Sequence, residues 1–92
     1  MDNFAKIFKD VLTTYNITQL TLSKSIKKID SSQGATSTMS QWYNDLTTPS
    51  IVGFYYLFWG LMAINKKAAL KLIIETFDLH GVTINNDEVS EE

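Results

Sequence analysis

Side chains that recognise without reacting are concentrated in one stretch of this chain. Thr36-Ser-Thr-Met-Ser-Gln-Trp-Tyr-Asn-Asp-Leu-Thr-Thr-Pro49 offers the hydroxyls of Thr36, Ser37, Thr38, Thr47 and Thr48 and the amides of Gln41 and Asn44. Hydroxyls and amides donate and accept hydrogen bonds but carry no charge, which suits them to reading a surface rather than breaking a bond. Groups that do break bonds are scarce. His80 is the only histidine and there is no cysteine, so a histidine pair or a thiolate metal site cannot be assembled. His80 falls at the end of a helical pattern, where a cation suits the dipole better than it suits acid–base work. Glu75 and Asp78, three apart, read as two carboxylates on a wet face. No Gly-x-Gly-x-x-Gly or P-loop pattern occurs. The expectation is a protein that is not an enzyme and holds no cofactor or metal.

The hydroxyl-rich stretch reads as a short helix. Any of its first three residues could cap it, and Thr38 with Gln41 has capping-box spacing. Met39, Trp42 and Leu46 fall on one side of a 3.6-residue period, while Ser37, Gln41, Asn44 and Asp45 fall on the other. Pro49 ends it, because the residue before proline is pushed out of the α region. The outer face is therefore either solvated or presented to a partner.

Four more helices position this one. Phe4, Ile7, Phe8, Val11, Leu12 and Tyr15 form an amphipathic stripe over residues 3–15, with Lys6, Lys9 and Asp10 on the wet side. Asn16-Ile17-Thr18 is a break, with Thr18 as the next N-cap. The second helix runs to about Ile29, with Leu22, Ser23, Ile26 and Ile29 inward and Lys24, Lys27 and Lys28 outward. Gly34, in the turn Asp30–Gly34, is free to take positive φ. Ser50 caps a fourth helix, Ile51 to about Ile64, burying Phe54, Leu57, Phe58 and Leu61. Its other face, with Val52, Tyr55, Tyr56 and Trp59, is apolar too, so either the fifth helix covers it or another molecule does. Ala69, Leu70, Ile73, Ile74 and Phe77 make the inward stripe of that fifth helix, about Lys66 to Leu79. His80-Gly81 is a C-terminal stop, Val82 to Ile84 a short extended piece, and the remainder a frayed acidic end. The expected fold is all-α: a compact five-helix domain over residues 1–81 with an acidic tail over 82–92.

Ninety-two residues hold one domain. The net charge of −2 comes from 8 lysines against 10 acids, with no arginine. Asp87, Glu88, Glu91 and Glu92 crowd the end, and without them 8 lysines face 6 acids, a balance of +2. No basic residue lies between Lys28 and Lys66. The apolar run from Ile51 to Ile64 is too short for the roughly 20 residues of a membrane span. Met1-Asp-Asn-Phe lacks a signal-peptide layout, and with no cysteine the expected location is cytoplasmic.

Gln19-Leu-Thr-Leu22-Ser23 resembles the Gln-x-x-Leu-Ala opening of the second helix in the phage-repressor or Cro-type (XRE-like) helix-turn-helix family. Met39-Ser40-Gln41-Trp42 with Asn44 is similar to that family's Ile-Ser-x-Trp-x-Asn recognition-helix core. Pro49 stands seven residues after Trp42 as the family's proline does, and Phe54, Leu57, Phe58 and Leu61 match its fourth helix. The likeness covers residues 4–62. Three features depart from it: a longer link from Leu22 to Met39, Asp45 where the family has glycine, and a recognition helix without lysine or arginine.

The resemblance implies a lambda-repressor-like helix-turn-helix fold and sequence-specific binding of double-stranded DNA by a transcriptional regulator of phage, plasmid or bacterial type, acting by operator occupancy. In that docking mode the third helix enters the major groove. Thr36, Ser37, Thr38 and Gln41 would face base edges, Gln41 pairing with adenine through its amide. Gln19, Asn44, Thr47 and Thr48 would hold phosphates, with Lys24, Lys27 and Lys28 as the nearby cations. A homodimer joined through Val52, Tyr55, Tyr56 and Trp59 would read two half-sites. The competing expectation is a protein-interaction module, a phage inhibitor or antirepressor, that keeps this fold without binding DNA. A DNA mimic fits less well, because the acids are few and mostly terminal.

Overall fold

Helical spacing of large apolar residues builds the core from every part of the chain. The computed structural model describes residues 3–78, and these form five helices and no strand. They are α1 (Phe4–Thr14), α2 (Gln19–Ile29), α3 (Thr36–Tyr43), α4 (Ile51–Ile64) and α5 (Lys66–Thr76). The expected all-α, five-helix architecture is what the described residues show. The expectations for His80-Gly81, for Val82 to Ile84 and for the acidic tail over 82–92 lie outside them.

Most helix ends follow from their residues. Thr18 and Ser50 cap α2 and α4, their hydroxyls accepting from Thr21 N at 3.0 Å and Gly53 N at 3.1 Å. Asn65 alone separates α4 from α5. Its extended backbone (φ −158°) turns the chain, and its Oδ1 accepts from the backbone N–H of Lys67 and Ala68. At the end of α1, Asn16 adopts φ 54°, and Ile17 N donates back to Leu12 O at 2.9 Å. A left-handed residue followed by that bond is the Schellman stop, which asparagine tolerates better than most residues.

Phe4, Phe8, Trp42 and Phe54 meet in an aromatic cluster. The Phe4 and Phe8 rings stack at 5.6 Å, and Trp42 presents its edge to both at 6.4 and 6.2 Å. Leu22, Ile26, Leu57, Leu61 and Leu72 complete the buried core. Here α4 lies between α2 and α5, while α1 bridges α3 and α5. Lys71 of α5 reaches Asp10 of α1 at 3.2 Å. The amide carbonyl of Gly60 accepts from Ser25 Oγ at 2.7 Å, which holds α2 close against α4.

Three stripes differ from their expected form. Ile29 is exposed, because α2 ends there and Asp30 leaves the helix with extended backbone. In α5 the buried residues are Ala68, Ala69 and Leu72, with Leu70, Ile73 and Ile74 half-buried and Phe77 exposed. Alanine side chains are small, so burying Ala68 and Ala69 lets α5 seat closely among its neighbours α1 and α4. Finally, α5 does not cover the second apolar side of α4. Ile51 is 91% exposed, Val52 57%, Tyr55 56% and Trp59 44%, while Phe77, just past α5, meets the buried Phe54 of α4 at 5.3 Å between ring centroids. No described helix is long and apolar enough to cross a membrane.

Candidate functional site

The α2–turn–α3 unit is set by a buried serine and a left-handed glycine. Ser23, 2% exposed, donates its hydroxyl to Gly34 O at 2.5 Å. Gly34 adopts φ 82°, and a Cβ there would stand 2.9 Å from Ile26 Cβ. Only glycine fits both the conformation and the space. At the other end of the turn, Asp30 Oδ1 accepts from Ser32 N at 3.0 Å and Ser32 Oγ at 2.6 Å. Tyr56 of α4 donates to Asp30 Oδ2 at 3.2 Å. These bonds, the Ser32 pair foremost, hold the Asp30 carboxyl below its ordinary pKa.

The polar face of α3 points outward as its spacing requires. Met39 and Trp42 are buried, whereas Thr36, Ser37, Thr38 and Gln41 are all exposed. Ser37 and Gln41, one turn apart, occupy the outermost line. Thr38 turns instead into a cleft of about 420 Å³, floored by Met39 and Trp42 and walled by Thr47, Thr48 and Val52. None of the expected hydroxyl caps forms: Ala35 precedes the helix and no side chain caps it. The Thr38–Gln41 capping box is likewise absent, and Gln41 Oε1 lies 3.5 Å from Thr47 Oγ1 instead. Asn44 closes its amide on its own helix, donating to Ser40 O at 2.9 Å.

Leu46 does not join Met39 and Trp42. It is 73% exposed, because α3 ends at Tyr43 and the chain reverses at Asp45. Asp45 has φ 60°, with Asp45 N donating to Trp42 O and Leu46 N to Gln41 O. This is a second Schellman stop, so the residue in that place must accept a left-handed backbone, as aspartate does and most residues do not.

The charges around α3 are arranged differently from the sequence expectation. Lys24 and Lys28 line a groove with Ile29, Ala63 and Ile64, on the side of α2 toward the end of α4. Lys27, one turn beyond Ser23, is the member of the trio on the side of the turn. The cation against α3 is Lys9 of α1, whose Nζ lies 5.0 Å from the Tyr43 ring centroid. Periodicity put Lys9 only on a wet face; its position beside α3 follows from how α1 packs. Asp45 puts a negative charge just past the end of α3, whereas Asp30 ends α2 and bonds Tyr56 of α4. Gln19, the first residue of α2, borders a groove of about 340 Å³ shared with Thr13, Asn16, Thr18 and Tyr43. Gln19 and Lys9 thus converge on the Tyr43 end of α3.

Of the four residues expected on a partner face, Val52, Tyr55 and Trp59 are exposed. Tyr56 is half-buried and engaged with Asp30, so it belongs to the α2–α4 seam. Among the described residues, no group of three His, Cys, Asp or Glu side chains could hold a metal ion. Compared with family models, curated proteins and solved structures, the chain gives no significant match to any of them.

Proposed function

We propose that this chain is a sequence-specific DNA-binding transcriptional regulator of phage, plasmid or bacterial type, built on a lambda-repressor-like helix-turn-helix framework and acting in the cytoplasm by operator occupancy. The observation that carries this reading is the pairing of α2 and α3 through Ser23 and Gly34, with the uncharged face of Ser37 and Gln41 left outermost. The left-handed Asp45 agrees with it, since a residue suited to positive φ stands where the family has glycine. In this reading α3 enters the major groove and Gln41 bonds the edge of an adenine, while Ser37 serves either base type. Thr36 and Thr38 border the same edge, and Thr47 and Thr48 approach the backbone beyond α3. Gln19 and Lys9, at the opposite end of α3, hold the sugar-phosphate flank. Few cations adjoin α3, so little counterion is released and the salt dependence is shallow.

The test is a mobility-shift selection against random duplexes, followed by Gln41→Ala and Ser37→Ala. Each substitution relaxes base preference at one position and weakens specific binding by about 1–3 kcal/mol. Unchanged binding in both variants removes α3 as the reading face.

A specific observation favours a second reading, a protein-interaction module on the same framework. Asp45 stands just beyond the end of α3, while Lys24 and Lys28 lie toward α4. A carboxylate there repels phosphate and suits a protein surface. Absence of retention on random duplex DNA at low salt selects this reading over the first.

A further inference from the structure

The cleft of about 420 Å³ between α3 and the start of α4 has a size ordinary for small-molecule sites. Trp42, at its floor, is 7% exposed, and its indole N–H meets no acceptor among the described residues. The Thr76 hydroxyl is the one fully enclosed side-chain polar atom without a partner among those residues, so the Trp42 nitrogen opens outward. It opens toward the cleft. A Cβ on Gly53, in the cleft wall, would stand 3.4 Å from Trp42 Cζ2, on the N–H edge of the ring, and 3.4 Å from Ser50 Oγ. A buried indole usually finds an acceptor, and here the acceptor has to come from outside the fold.

Two helix starts add donors at the same place. In α4, Ser50 Oγ takes the N–H of Gly53 and Ser50 O that of Phe54. The N–H groups of Ile51 and Val52 are left without a partner among the described residues. In α3 the first bonded amide is Met39, to Ala35 O at 3.2 Å, and no side chain caps the helix. Ala35, Thr38, Val52 and Gly53 all line the cleft, so the positive ends of both helices border it. Among the described residues no charged side chain lines it. Asp30, behind Ser32, has both oxygens engaged with Ser32 and Tyr56.

We propose that this cleft binds a small monocarboxylate with an apolar body, of the kind an aromatic acid provides. The carboxylate accepts from the Trp42 indole N–H and from the free N–H groups at the start of α4, which the Gly53 position brings together. The apolar body rests on Met39, the Trp42 ring and Val52. With no cation in the lining, the site suits one negative charge rather than the two of a phosphate monoester. Binding is independent of what α3 reads, and it is measured without nucleic acid.

The experiment titrates the isotope-labelled full chain with sodium benzoate and follows the indole N–H signals of Trp42 and Trp59 by magnetic resonance. Trp59→Phe, at an exposed position, assigns the two signals. Benzoate is expected to shift the Trp42 signal saturably and to leave that of Trp59 in place. Benzyl alcohol, which keeps the ring without the charge, and acetate, which keeps the charge without the ring, each bind at least about tenfold more weakly. Val52→Asp and Thr38→Glu put a carboxylate into the cleft from opposite walls. Both positions are exposed and lie in the first turn of a helix, where an acid is tolerated, so the fold is kept. Either variant weakens benzoate at least about tenfold, and one serves if the other misfolds. An unmoved Trp42 signal overturns the proposal. Benzyl alcohol binding as well as benzoate overturns the anion. Acetate or inorganic phosphate matching benzoate overturns the apolar body and leaves a subsite for a bare anion, such as a nucleic-acid phosphate. Undiminished benzoate binding in both acid variants overturns the cleft.

Discussion

Tyr56 donates its phenol hydrogen to Asp30 at 3.2 Å, joining the middle of α4 to the turn that sets the angle between α2 and α3. That bond lets the packing of α4 reach the helix with the exposed polar face. It also has a titration signature. The carboxylate of Asp30 raises the Tyr56 pKa above its ordinary 10.0, with burial adding to the effect. A phenol with a raised folded pKa contributes stability that is fully present below its unfolded value and lost as pH rises through the folded one. Spectrophotometric titration should show a phenol, among the four tyrosines, ionising above 10.0. In Asp30→Asn that pKa returns toward the ordinary value. The same substitution removes a carboxylate whose pKa is lowered, so the wild type's advantage over Asp30→Asn shrinks as pH falls below 3.8 through that lowered value. An unmoved phenol titration in Asp30→Asn would show that the bond is absent in solution.

Gly34→Ala should destabilise the domain by about 1–3 kcal/mol. The new Cβ has to adopt φ 82° and stand 2.9 Å from Ile26, and a non-glycine residue held in such backbone costs on that order. Urea unfolding measures it as a lower midpoint with unchanged slope. A neutral result would mean that the turn can relax away from α2.

Gly60→Ala opposes two effects of known size. Alanine gains about 1 kcal/mol in a helix interior, but its Cβ would lie 2.5 Å from Ile26 Cγ1, close to the α2 backbone and unable to swing aside. Overpacking of that kind costs about 1–3 kcal/mol, so the net effect is a loss. The expected readout is a lower thermal midpoint, with a second cost where Ser25 loses its bond to Gly60 O.

Lys9→Ala tests the cation found beside α3. If DNA is the ligand, affinity should fall alike for all duplex sequences, and the slope of log affinity against log salt should become shallower by about one. Lys28→Ala should leave that slope nearer its original value, because Lys28 lies toward the end of α4. Equal effects from both lysines would put DNA on a wider surface than α3.

Helix positions were legible in the residues because each has a local cause. Thr18, Ser50 and Asn65 satisfy free backbone donors at helix starts, and apolar residues recur at 3.6-residue spacing in α1 and α4. Outward exposure of Ser37 and Gln41 followed from the same period once Met39 and Trp42 turned inward. The end of α3 was less legible. Asp45 reverses the chain through its backbone conformation, which no periodicity reports, so Leu46 left the stripe it was assigned to.

Sequence alone therefore settled which segments are helical and which side chains of α3 could stand outward, because capping and periodicity act over one or two turns. Which charges adjoin α3 was decided only by the tertiary structure. Lys9 reaches Tyr43 because α1 packs on α3, Lys24 and Lys28 border Ala63 and Ile64 because α2 lies antiparallel to α4, and Tyr56 turns to Asp30 by the same packing. A side chain's neighbours across the core depend on how whole helices seat against one another, and that depends on volumes such as the missing Cβ of Gly60, which no local pattern encodes.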